Sequence, residues 1–141
     1  MRARKLAVLV GAALTAAAWS LAPVGTAVAA AGITTTGVSL VSSPQPGLQV
    51  YGTATCSTTT GTATVYVSAL QLMDTVIGSG TTTISCADQP AHWTVFAGPG
   101  SACTPFPNHT GCFRPNSVVN VFATLTRNGV QEAYQGGGFS T

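Results

Sequence analysis

After Lys5 the chain contains no lysine, and charged residues make up only 6% of its 141 positions. The formal charge of +2 rests on Arg2, Arg4 and Lys5 at the start. From residue 30 onward Arg114 and Arg127 face Asp74, Asp88 and Glu132, a net charge of −1. A nucleic-acid surface needs a basic patch for the phosphates, and none can be assembled here. The same scarcity excludes an anionic membrane surface as a partner. Carboxylates are as sparse as cations, and the only imidazoles are His92 and His109. General acid–base chemistry needs two tuned groups facing one substrate. A Ser-His-Asp set could be drawn only from His92, Asp88 and a serine, and no G-x-S-x-G elbow occurs. Neither C-x-x-C nor paired histidines appear, so the four cysteines do not read as a zinc site. These absences point to a protein that is not an enzyme and holds no cofactor or metal.

One apolar run is present, at the start. Arg2, Arg4 and Lys5 precede Leu6–Leu14, and the run continues through Ala16–Trp19 and Leu21. Pro23 and Gly25 break it, and Ala27-Val28-Ala29 supplies small residues for cleavage before Ala30. This is the pattern of a secretory signal peptide over residues 1–29. The run is shorter than the roughly 20 residues needed to span a bilayer. Residues 30–141 are then 112 in number, one domain of ordinary size outside the membrane.

That domain alternates with period two. Leu48, Val50, Gly52, Ala54 and Cys56 share one face of a strand; Val65, Val67 and Ala69 share one face of the next. Val76, Gly78, Gly80, Ile84 and Cys86 form a third such set, whose glycines predict a bulge or a close backbone approach. Further strands are predicted over 33–43, 92–97, 117–127 and 130–139. Pro44-Gln45-Pro46-Gly47 and Ser57–Gly61 read as turns, and Met73-Asp74 as a weaker one. Asn128-Gly129 is the strongest turn, since both residues accept the positive φ of a type I′ hairpin. It sets a register in which Arg127 faces Val130, Leu125 faces Glu132 and Ala123 faces Tyr134. Val130 and Tyr134 then lie on the core face, and so does Glu132, a conflict that either a place at the sandwich rim or a different register would remove; the register is kept. Seven strands without helical periodicity predict an all-β fold, an antiparallel two-sheet immunoglobulin-like sandwich.

Four cysteines beyond a signal peptide predict two disulfides in an oxidising compartment. The spacing favours Cys56–Cys86 and Cys103–Cys112, contributing about 3.5 and about 2.5–3 kcal/mol by loop entropy. Residues 98–116 lack periodicity and hold Pro99, Pro105, Pro107 and Pro115. Loops of this length in compact domains are often functional. Within the second cysteine loop, Pro105, Phe106, Pro107, Asn108 and His109 form a candidate recognition segment. Prolines on both sides of Phe106 pre-order it and lower the entropy lost on binding, and an exposed aromatic is a usual anchor. The favoured reading of the same loop is a structural crossover, stapled by the disulfide, with Phe106 tucked against the domain. Asn108-His109-Thr110 also has the form of a glycosylation acceptor, which agrees with an exposed loop.

Several stretches carry a family likeness. Val50–Ser57 (VYGTATCS), Thr64-Val65-Tyr66-Val67, Gly78–Cys86 (GSGTTTISC) and Phe113-Arg114-Pro115 before Val119-Asn120-Val121 resemble small secreted immunoglobulin-like domains of actinobacteria. The low lysine and high alanine, glycine and threonine content is similar to that of secreted proteins of high-GC bacteria. The resemblance implies a secreted sandwich of no assigned activity. The chain departs from true immunoglobulin domains in that Trp93 follows both Cys56 and Cys86, and no tyrosine stands two residues before Cys86. Pro99-Gly100-Ser101-Ala102-Cys103 resembles a short stretch of secreted subtilisin inhibitors, which implies protease inhibition through the 103–112 loop. In size, secretion and disulfide count the chain also looks like neocarzinostatin-type apoproteins, which implies a small-molecule carrier. The leading expectation is an extracellular binding or interaction module whose partner is a protein, a cell-wall component or a small molecule.

Overall fold

The fold is seen in a computed structural model that describes residues 30–42, 45–73, 75–99, 103 and 111–141. Seven strands follow one another: β1 (Gly32–Val41), β2 (Gly47–Thr55), β3 (Thr62–Gln71), β4 (Val76–Ser85), β5 (Ala91–Pro99), β6 (Val118–Arg127) and β7 (Val130–Ser140). They match the predicted strands in number and order, with ends displaced by a few residues at most. Every pairing is antiparallel, in the order β1-β2-β5-β4-β3-β6-β7. Among the described residues no helix is long and apolar enough to cross a membrane. The predicted signal peptide, residues 1–29, lies outside the described residues.

The order curls on itself. β4 and β5 pair only at Gly78–Pro99 and Ser79–Gly98 and then diverge. At the other seam β1 packs beside β7, where the Thr35 N–H donates to Gln135 Oε1. The result is a nearly closed sheet around one core. That core is the alternating set read from the sequence. Leu48, Val50, Val65, Val67, Ala69, Val95, Ala97, Val119, Val121, Ala123 and Leu125 are all buried. Each buried aliphatic side chain of valine or leucine size contributes about 1.5–3 kcal/mol.

The glycines of β4 sit where a close approach was expected. A Cβ on Gly78 would lie 2.8 Å from the Phe113 ring, and one on Gly80 would overlap the Phe96 carbonyl. At the β6–β7 turn Asn128 and Gly129 have φ of 50° and 76°, as a type I′ hairpin requires.

Both predicted disulfides form. Cys56 and Cys86 follow β2 and β4, which are not neighbours in the sheet, and their Cα atoms are 5.6 Å apart. The bridge therefore ties one half of the sheet to the other across its base. Cys86 N–H also donates to Gly61 O at 3.0 Å. Cys103 and Cys112 pair at the opposite end, with Cα atoms 4.8 Å apart. Two disulfides fit an oxidising compartment.

The β6–β7 register corrects the expectation. Arg127 does face Val130, but Thr126 faces Gln131 and Leu125 faces Ala133. Glu132 is the extra residue of a β-bulge, which shifts every later pair by one. Leu125 therefore does not face Glu132, and Ala123 faces Gln135 in place of Tyr134. Tyr134 points outward and is exposed, Val130 is exposed beside the turn, and Ala133 packs against the core. The bulge also resolves the charge conflict by turning the Glu132 carboxylate to the rim. There Oε1 accepts from Arg127 Nε at 2.7 Å and from the Ser57 hydroxyl at 2.5 Å, and Oε2 accepts from Ser57 N–H at 3.1 Å.

Candidate functional site

The loop singled out in the sequence is rooted at the top of the molecule, where β2, β4 and β6 begin and β1, β3, β5 and β7 end. Cys112 is buried, and the adjacent Phe113 ring fills the space over Gly78. Pro105, Phe106, Pro107, Asn108 and His109 lie outside the described residues. Beside the root, Leu40, Val41, Pro46, Cys112, Phe113 and Pro115 line a cleft of about 210 Å³. Pockets for drug-sized ligands usually enclose about 300–1,000 Å³. The segment after Cys112 is anchored by buried Gln71, whose Oε1 accepts from Arg114 N–H at 2.7 Å, and by Thr141, whose hydroxyl donates to Arg114 O at 2.6 Å.

The residues nearest to an acid–base set lie at the opposite end. Ser85, Asp88 and His92 line one open depression of about 340 Å³. The Ser85 hydroxyl accepts from Ala87 N–H at 3.2 Å, and among the described residues no hydrogen bond joins Ser85, Asp88 and His92. His92 is exposed on the outer side of β5. Among the described residues no three His, Cys, Asp or Glu side chains gather as a metal site would need.

Electrostatic tuning is seen at the base. The Ser57 hydroxyl holds the Glu132 carboxyl below its usual value; burial opposes this, and Arg127 and the Ser57 N–H reinforce it. The Glu132 side chain is 9% exposed and its Arg127 partner 29%. The group pins the segment after β2 to the β6–β7 hairpin, so its consequence is positional.

The most distinctive surface is the outer face of β4, β3, β6 and β7. Pairing places its side chains in rows that cross the strands. One row runs Thr81, Tyr66, Thr124 and Tyr134; the next runs Ser79, Ser68, Phe122 and Gly136; a third runs Thr83, Thr64 and Thr126. Neighbouring strands are about 4.8 Å apart, so each row is a nearly continuous line of rings and hydroxyls. Tyr66 is 45% exposed, Phe122 38% and Tyr134 56%. Phe122 and Tyr134 lie nearly parallel, with an interplanar angle of 16° and centroids 6.3 Å apart. Gly136 makes this possible. A Cβ there would meet Phe122 Cδ1 at 3.1 Å and Tyr134 Oη at 3.3 Å, so its absence lets both rings lie down on the sheet. Ile77, beside Leu70, adds an exposed apolar side chain toward the top. Among the described residues no Asp, Glu, Lys, Arg or His stands on this face: Asp88, Arg114, Arg127 and Glu132 all occupy loops, strand ends or the bulge.

Sequence reasoning did not single out this face. Tyr66 and Phe122 are legible as outward residues, since their neighbours Val65, Val67, Val121 and Ala123 are the apolar ones. The outward position of Tyr134 depends on the bulge, and its neighbour Phe122 depends on the strand order. Searches against protein-family models and against curated proteins find no match for this chain.

Proposed function

We propose that this chain is a secreted, non-enzymatic binding module of bacterial origin and immunoglobulin-like sandwich class. In this reading residues 1–29 are the export signal. β1, β2 and β5 form one sheet, β4, β3, β6 and β7 the other, and the Cys56–Cys86 bridge joins the two. The partner is met outside the cell, and nucleic acid is not among the candidates.

The observation that carries the reading is the outer face of β4, β3, β6 and β7. It presents Tyr66, Phe122 and Tyr134 together with nothing ionisable around them. Aromatic side chains supply large contact area at small entropic cost and are the usual anchors of recognition surfaces. Two disulfides and the scarcity of charge support an extracellular setting.

Amide hydrogen exchange on the secreted protein tests this, with and without washed envelopes of the cells that secrete it. The outcome expected is slowed exchange in β6 and β7. Exchange unchanged throughout the chain contradicts a binding role at the cell surface.

A further inference from the structure

The geometry points to one class of occupant for the outer face of β4, β3, β6 and β7: we propose that it docks an uncharged polysaccharide chain displayed at the cell surface. This deepens the binding-module reading and rests on it.

Three features converge. The first is charge. The outward residues of the four strands are threonine, serine, tyrosine, phenylalanine, asparagine, glutamine, glycine and aliphatics, without one carboxylate, ammonium, guanidinium or imidazole. A polyanion would have nothing to pair with here, and a neutral polymer loses nothing by the lack. The opposite outer face differs, since it carries His92 in register with Thr53.

The second feature is the attitude of the rings. Phe122 and Tyr134 lie over Gly136 and are nearly parallel. Rings laid down on a sheet offer their π faces to solvent. Those faces carry partial negative charge, and the C–H groups on the flat side of a pyranose carry partial positive charge. Tyr66 and Tyr134 share a row but stand two strands apart, about 10 Å. That separation is close to the length of one disaccharide in an extended chain.

The third feature is the hydroxyls between the rings. Thr81, Thr124 and Ser68 flank the aromatics directly, and Ser79 follows Ser68 in its row. Covering such groups with an apolar protein surface leaves donors and acceptors unpaired, at a cost for each. A sugar meets them with hydroxyls of its own, which rotate to match. This favours a glycan over an apolar protein surface.

The test is affinity electrophoresis of the secreted protein through gels holding one soluble neutral polysaccharide each: mixed-linkage β-glucan, hydroxyethyl cellulose, galactomannan or arabinan. Dextran sulfate serves as the charged control. Retardation by at least one neutral polymer is expected, equal at low and high salt. Tyr66→Ala and Tyr134→Ala should each weaken it by about five- to tenfold. Tyr51→Ala and Phe96→Ala, on the opposite face, should leave it unchanged. Both tyrosines are half exposed, so circular dichroism should find these variants folded. The proposal is overturned if no neutral polymer retards the protein. It is overturned equally if retardation needs dextran sulfate or survives in the Tyr66/Tyr134 double variant.

Sedimentation of the same samples separates this failure from that of the binding-module reading. Self-association lost in the double variant keeps a binding role for the face, with a second copy as its occupant, and removes the glycan. Slowed exchange in β6 and β7 with cell envelopes but no retardation does the same in favour of another envelope component. No retardation, no self-association and no exchange effect removes both readings.

Discussion

The two outer faces of this molecule are built from the same residue types and present different surfaces. On β1, β2 and β5, Tyr51 lies against Gly37 and Phe96 against Gly47, each ring shielding a separate glycine. His92 interrupts that face, and a bulge breaks β1 between Thr35 and Gly37. On β4, β3, β6 and β7, four strands lie side by side, Phe122 and Tyr134 share one glycine, and no ionisable acid or base intervenes. A ring over a glycine repairs a weak point of a sheet. Two rings over one glycine, with a third ring beside them, make a platform. The difference arises from which strands are neighbours, because composition and alternation are alike on both faces.

The comparison can be broken most severely at the base, where the two halves are joined. Replacing Cys56 and Cys86 together by serine should cost about 3.5 kcal/mol, against about 2.5–3 for Cys103 and Cys112. Denaturant unfolding of the two double variants measures this. Equal losses, or a larger loss at the top, would contradict the role given to the base bridge. Glu132→Gln should cost about 1–2 kcal/mol at neutral pH. The folded-state pKa of Glu132 lies below its usual value of 4.5. Its contribution is thus complete above about pH 4.5 and is lost as pH falls through the lowered folded pKa. Wild-type stability should decline with acid in that window, and Glu132→Gln should decline less. Parallel acid profiles would remove Glu132 from the account.

Smaller changes sharpen the contrast between faces. Gly136→Ala places a Cβ 3.1–3.2 Å from Phe122. The ring must shift by a few tenths of an ångström, at a stability cost of about 1 kcal/mol or less. Polysaccharide binding should fall by more than that small loss of stability suggests, because the ring is displaced. Tyr51→Ala should show the reverse, losing about 1 kcal/mol of stability with binding intact. Thermal unfolding and gel retardation on the same two variants give both quantities.

Much of the fold was legible because burial and alternation coincide. Val65, Val67, Val119, Val121 and Leu125 announce their strands, and they are the core. Asn128-Gly129 announces its turn, and the cysteine spacing announces both bridges. The register beyond that turn was not legible. A bulge adds one residue to the backbone ladder without altering the residue types around it, so Tyr134 was assigned to the wrong face, while the conflict at Glu132 marked the place of the shift. Gln71 was missed for a similar reason: its partner, the Arg114 N–H, lies 43 positions away. The aromatic face stayed hidden because Tyr66, Phe122 and Tyr134 come together only once β3, β6 and β7 are neighbours. The segment Pro105–His109, a candidate recognition loop for which the sequence favoured a structural crossover, is outside the described residues.

The most direct test of the central claim is an amide chemical-shift titration of the isotope-labelled protein with neutral oligosaccharides cut from the polysaccharide that retards it. The account predicts saturable shifts clustered at Tyr66, Phe122, Thr124, Tyr134 and Gly136. Shifts confined to residues 103–112, or to the outer face of β1, β2 and β5, would contradict it.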